Sequence, residues 1–218
     1  MALVFSSFFS IKSHPIINYN IIIYTNFSFL YYNIVGDNMK NILIAGVAKS
    51  GKSLFCKKLI EKEKYSHIPL DYFTASMKRN FPNWGIKSSV IINDTSKKLS
   101  TLLNTVTNLI DDTDEKFIID SAHIMPSDII YNINRDNWNI YFFGYPNISA
   151  KDKLSEIRKY IKDGWPAKKD DDELITIFEK LISISKEMNA QCKKYNIKFI
   201  DTSFDLNKKI DELIKEIL

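Results

Sequence analysis

Residues 41–53 read NILIAGVAKSGKS, and the second part of that stretch has the composition needed to hold phosphate. Gly46, Val47, Ala48, Lys49, Ser50, Gly51, Lys52 and Ser53 satisfy the pattern G-x-x-x-x-G-K-[ST], in which glycines let successive backbone N–H groups turn toward an anion. A short apolar run at 41–45 precedes it, as expected of a buried strand. Apolar residues at helical spacing follow, Phe55 with Leu59 and Cys56 with Ile60. A strand–loop–helix context puts the loop at a helix N-terminus, whose dipole adds positive potential. The N–H groups up to Leu54 then face phosphate oxygens, Lys52 reaches the terminal phosphates, and the Ser53 hydroxyl is a ligand for Mg²⁺. The chain is expected to bind a nucleoside triphosphate.

Other residues fall where such a site would need them. Asp120 closes the apolar run Phe117–Ile119; a carboxylate there supports Mg²⁺, directly or through water, the alternative being a cap on the next turn. Asp71 is expected at the end of a second strand, facing the crevice at the carboxyl edge of a parallel sheet. There it would orient an acceptor hydroxyl, take its proton or hold an amine, the alternative being a loop-stabilising role. The chain has only Arg79, Arg135 and Arg158 as arginines, and a planar fork in a lysine-rich chain points to a place where phosphate or carboxylate is clamped. Arg79 is expected at the acceptor and Arg158 on the moving phosphoryl group, with Arg135 on the surface. Lys159, Lys162, Lys168 and Lys169 read as a solvated face. His123 is a candidate for touching the acceptor, or else a hydrogen-bonded loop histidine. Catalytic roles therefore fall to Lys52, Asp71 and Arg158.

The elements that position these groups alternate between strand and helix. Strands are expected at 67–70, 116–120, 139–143 and 197–201 in addition to 41–45. The clearest helix spans 95–110, with Leu99, Leu102, Leu103, Val106, Leu109 and Ile110 on one face. Ser149 and Asp152 form a capping box that opens a helix bearing Leu154, Ile157 and Ile161, ended by Gly164-Trp165-Pro166. After a charge run at 168–173, Leu174, Ile177, Phe178, Leu181 and Met188 define a long helix, and Ile210, Leu213, Ile214 and Ile217 mark the last.

Composition bounds the rest. A net charge of +4 over 218 residues does not call for nucleic acid as partner. Cys56 and Cys192 fall on separate helices with no metal or redox spacing, as buried thiols in a reducing cytosol would. Residues 1–38 contain one Lys, one Asp and one His amid Phe, Tyr, Ile and Asn. They lack the basic start and small-residue cleavage site of a secretion signal, and the apolar stretch at 21–35 is short and broken for a membrane span. Gly36-Asp37 before Met39 could be encoded by GGA-GAT, a bacterial ribosome-binding sequence. Residues 1–38 are accordingly expected to be translated leader or a disordered extension, with one domain from residue 39 to 218. The richness in Lys, Ile and Asn suits an A/T-rich, bacterial source. A membrane role stands or falls with residues 1–38.

From residue 39 onward the layout resembles the P-loop kinases of small molecules and nucleotides, the group of adenylate, shikimate and gluconate kinases. The resemblance rests on GVAKSGKS at 46–53, Asp71, FIID at 117–120, the arginine-bearing segment around Arg158 and KFIDTS at 198–203. A tighter likeness, to bacterial kinase-like ATP-binding proteins, rests on FPxxGI at 81–86, FFGYPN at 142–147 and IRKY at 157–160; it brings no substrate with it. The resemblance implies a three-layer α/β fold with a five-stranded parallel sheet in the order 2-3-1-4-5, and a small lid, about 149–172, closing over ATP. It places Thr202 and Ser203 near the adenine ring. It implies γ-phosphoryl transfer from Mg-ATP to a small-molecule or nucleotide acceptor in the cytoplasm. One lid arginine where nucleoside monophosphate kinases bring several argues against a nucleotide acceptor. A GTPase would need an Asn/Thr-Lys-x-Asp motif, which 167–170 (AKKD) fails at its first position. The main rival is a regulatory or toxin-like ATP-binding protein, as the zeta-type toxins that phosphorylate sugar nucleotides share this scaffold.

Overall fold

The first strand, β1 (Asn41–Gly46), is buried along its whole length, as befits a strand covered on both faces. The computed structural model describes residues 39–86 and 93–218; the expectation for residues 1–38 lies outside them. β1 pairs in parallel with β3 (Phe117–Ser121) on one side and β4 (Trp138–Gly144) on the other. β2 (Ser66–Pro69) adds in parallel to β3, and β5 (Lys198–Asp201) to β4. The order is 2-3-1-4-5, as expected.

Side chains alternate across the sheet and so divide the core in two. Ile42, Ile44, Ile118 and Phe143 pack with Phe55, Cys56 and Leu59 of α1 (Lys52–Ile60) and with Ile210, Leu213 and Ile214 of α7 (Leu206–Ile217). Leu43, Ala45, Ile119 and Phe142 point the other way, toward Leu99 and Leu103 of α3 (Asn93–Asp111) and Leu174 and Phe178 of α6 (Asp171–Tyr195). Three layers result. The remaining helices are α2 (Leu70–Asn80), the single-turn α4 (Pro126–Ile129) and α5 (Ala150–Tyr160). No helix among the described residues is long and apolar enough to cross a membrane.

Several expectations need correcting. The second strand stops at Pro69, and Leu70 opens a helix that sequence reading overlooked. Asp71 therefore sits in the first turn of α2, not at a strand end. The helical signal was present: Leu70, Thr74 and Met77 share one face, with Leu70 and Thr74 buried and the Thr74 hydroxyl donating to Leu70 O at 3.0 Å. Ile60 and Leu109, both placed on apolar faces, are exposed. The helix after the capping box stops at Tyr160, before Gly164. The N-cap half of the box forms, with Ser149 Oγ accepting from Asp152 N–H at 3.1 Å, while the Ser149 hydroxyl donates to the Asp152 carboxylate at 2.6 Å. An unforeseen cap opens α6, where Asp170 accepts from Glu173 N–H at 2.8 Å.

Candidate active site

Strand order reverses at β1, which is where parallel sheets present a crevice beyond their carboxyl ends. A cavity of about 1080 Å³ opens there. Its wall includes Ala48 to Leu54, Asp71, Asp120, Glu156, Trp165 and residues 202–208, the β5–α7 turn with the start of α7.

The β1–α1 loop can be built only with glycine at its start. A Cβ on Gly46 would stand 2.0 Å from the Phe143 carbonyl oxygen. Lys49 (φ 61) and Gly51 (φ 97) are left-handed, and turns of this kind aim neighbouring N–H groups at a common point. Val47 N–H donates to Phe143 O at 3.2 Å, and Phe55 N–H to Gly51 O at 3.0 Å. The N–H groups between, from Ala48 to Leu54, have no partner among the described residues, and no side chain caps α1. A row of unpaired donors at a helix N-terminus fits a phosphate chain. Gly46 and Val47 lie behind this row. Their carbonyls receive the Lys52 ammonium at 2.9 and 2.8 Å, and burial draws the Lys52 pKa down against the opposing pull of Asp71 and Asp120. Two further bonds hold the loop, Ser50 Oγ to Val47 O at 2.9 Å and Tyr145 Oη to Ala48 O at 2.9 Å.

The carboxylates lie opposite. Asp71 accepts from Ala122 N–H at 3.2 Å, which ties the start of α2 to the end of β3. Asp120 is buried, and burial raises its pKa despite His67 and Lys52 nearby. Ser53 is exposed on the cavity wall with Asp120. His123, expected to touch an acceptor, follows β3 but does not line the cavity; its Nδ1 is buried without a partner among the described residues, and burial lowers its pKa, Asp71 opposing.

The predicted arginines are placed elsewhere. Arg79 is exposed near the end of α2 and does not line the cavity. Arg158 does not line it either. Its fork is spent on the segment that follows α5: Nε and an Nη reach Asp171 Oδ1 at 2.9 and 2.7 Å, and the Nη groups reach Pro166 O at 3.2 Å and Lys169 O at 2.8 Å. Arg135 meets the Tyr195 and Asn196 carbonyls, at the surface as expected. Thr202 and Ser203 line the cavity, but their hydroxyls hold its frame. Thr202 Oγ1 donates to Gly144 O at 3.1 Å, and Ser203 Oγ accepts from Asn147 N–H at 2.9 Å.

The far wall falls partly within the expected lid at 149–172 and beside Thr202 and Ser203, but its key side chains are not singled out by the sequence. Phe204 presents an exposed ring there, and Trp165, on Phe178 at 6.4 Å between centroids, lies within 6.0 Å of the Lys49 ammonium. Lys153 is buried, 4.3 Å above the Tyr145 ring, and its ammonium binds Glu156 of the cavity wall at 3.1 Å. A signal existed: Lys153 stands four residues before Ile157 on the apolar stripe of α5, so helical spacing alone predicts a buried cation.

Known proteins resemble the chain in fold. A gluconokinase from Sinorhizobium meliloti 1021 superposes with TM-score 0.52 at 15% identity, over 83% of this chain and 92% of its own. A shikimate kinase from Bacteroides thetaiotaomicron gives 0.53 at 16% identity, over 82% and 98%. No protein-family model and no curated protein sequence matches the chain. The fold is thus that of the P-loop kinases of small molecules.

Proposed function

We propose that the chain is a phosphotransferase that moves the γ-phosphoryl group of ATP to a small-molecule acceptor. The observation that carries this reading is the row of unpaired N–H groups from Ala48 to Leu54 on the wall of a cavity that Asp71 also lines. The row binds the phosphates of the nucleotide, with Lys52 moving from the Gly46 and Val47 carbonyls to the transferring group. Ser53 and Asp120 would hold Mg²⁺, which offsets charge on phosphate oxygens when bound. Asp71, fixed by Ala122 N–H, orients the acceptor hydroxyl and takes its proton as the oxygen attacks. His123, buried and outside the cavity lining, takes no part in holding the acceptor in this reading. The base of the nucleotide lies along the β5–α7 turn, whose frame Thr202 and Ser203 hold and whose Phe204 supplies an aromatic face.

Residues 149–172 act as the lid in this reading. Tyr145 and Lys153 connect the start of that segment to the phosphate loop through Ala48 O. Arg158 organises the segment from within, and Arg79 lies outside the reaction. Closure over the nucleotide excludes water, the competing acceptor.

The test is ADP production by the full chain with Mg-ATP, against a panel of sugars, polyols, hydroxy acids and nucleosides, with Lys52→Ala as blank. Stimulation by one acceptor is expected. ATP binding with no acceptor that stimulates turnover would overturn the phosphotransferase reading in favour of a regulatory or toxin-like protein.

A further inference from the structure

Behind the phosphate loop, Cys56 of α1, His67 of β2 and Asp120 of β3 converge from three separate elements. Their donor atoms all lie within 4.8 Å of one another. Cys56 Sγ stands 4.0 Å from Asp120 Oδ2, and His67 Nε2 stands 3.5 Å from Asp120 Oδ1. Zinc bonds of roughly 2.0–2.3 Å to N, O and S at tetrahedral angles separate the donors by about 3.3–3.6 Å. The observed spacing is therefore within a small rotamer adjustment of a three-ligand site with one open position.

The chemistry of the set is selective. Mg²⁺ takes oxygen donors, whereas a thiolate with an imidazole and a carboxylate suits a borderline-soft ion. Neither the thiol nor the imidazole contributes to phosphate binding in the reading above, so both are left over by it. Access exists from the open edge of the sheet: β2 is the edge strand, and the His67 side chain is 29% exposed.

We propose that Cys56, His67 and Asp120 form a binding site for Zn²⁺ beside the phosphate loop. Binding makes the Cys56 sulfur–zinc bond and releases the thiol proton to solvent; His67 donates its Nε2 lone pair, Asp120 one carboxylate oxygen, and water completes the set. Because a thiol gives up its proton on binding zinc, occupancy of the site is linked to proton release. Zinc there draws Asp120 away from the ion that accompanies ATP and so inhibits turnover. That consequence rests on the phosphotransferase reading; the site itself does not.

The experiment uses Co²⁺ as a spectroscopic substitute on the reduced full chain. One equivalent is expected to produce a sulfur-to-cobalt charge-transfer band in the near ultraviolet, displaced by Zn²⁺. Cys56→Ser should remove the band, and Cys192→Ser should leave it. His67→Gln, a change on the edge strand that keeps both thiols, should weaken Co²⁺ binding by more than about tenfold. A band that survives Cys56→Ser, or Co²⁺ affinity unchanged in His67→Gln, or no band at all, overturns the proposal. Zinc inhibition of ADP release is read separately: a cobalt band without any turnover supports the metal site and counts against the phosphotransferase.

Discussion

Arg158 provides the sharpest test of how this site works. Its guanidinium makes two contacts to Asp171 and one each to the Pro166 and Lys169 carbonyls. The ion pair is well exposed, 37% and 65% by side chain, so it is worth at most about 1 kcal/mol. The two carbonyl bonds are partly buried and contribute about 0.5–1 kcal/mol each. Arg158→Met, which keeps the stem and removes the fork, should then cost about 2 kcal/mol, or about 4–8 °C in Tm for a chain of this size. Asp171→Asn should cost about 1 kcal/mol or less, and the double variant little more than Arg158→Met alone, because the two share one interaction. Turnover of Arg158→Met, measured well below the midpoint, should stay within about tenfold of the parent, equivalent to 1.4 kcal/mol. An arginine clamping the transferring phosphoryl group would instead be worth on the order of 10³-fold or more. Thermal melts and steady-state turnover of the four proteins settle it. A loss of that size with Tm unchanged, together with a silent Asp171→Asn, would refute the reasoning and return Arg158 to the phosphoryl group.

Other consequences can be checked alongside. Lys52→Ala should lower turnover by at least about 10²-fold while circular dichroism shows the helical content intact; turnover near that of the parent would remove Lys52 from the reaction. Gly46→Ala forces a Cβ to within 2.0 Å of Phe143 O, whereas at Gly164 (φ +76) the nearest atom is 3.8 Å away. Urea midpoints should show a loss of about 3 kcal/mol or more at Gly46 and about 1 kcal/mol at Gly164. Phe204→Ala should weaken ATP binding by about 1–3 kcal/mol and leave Tm unchanged, since the ring is exposed; calorimetric titration reads it. Burial depresses the His123 pKa below its ordinary value near 6.5, so the unfolded chain binds the proton more readily. The resulting destabilisation is absent above that ordinary value and grows as pH falls through it toward the folded value. His123→Gln should flatten the fall in stability between neutral and mildly acidic pH.

What could be read ahead of the structure follows from how local each signal is. The phosphate loop, its strand and its helix are contiguous, so Gly46 to Ile60 carries its own context, and the alternation of apolar runs set the layers and strand number. Asp71 was placed in the right region for a wrong reason. Proline at 69 ends β2 while Leu70, Thr74 and Met77 begin a helical period, and a four-residue strand is too short to show where one period yields to the next. The far wall of the cavity has no local signature, because Glu156, Trp165 and Phe204 come together only once β4 and β5 are paired. Arginine scarcity does not by itself name the partner of the fork, for a physical reason. The same rigid fork that matches a phosphate also matches a carboxylate flanked by two carbonyls, and the segment after α5 supplies that arrangement within thirteen residues. Rarity of a side chain thus marks a place where a fork is needed without saying whether the partner is substrate or backbone. The buried lysine is the stronger kind of clue. A cation on an apolar helical stripe must have a partner inside the fold, and at Lys153 that requirement led to Glu156, Tyr145 and, through the tyrosine hydroxyl, the phosphate loop itself.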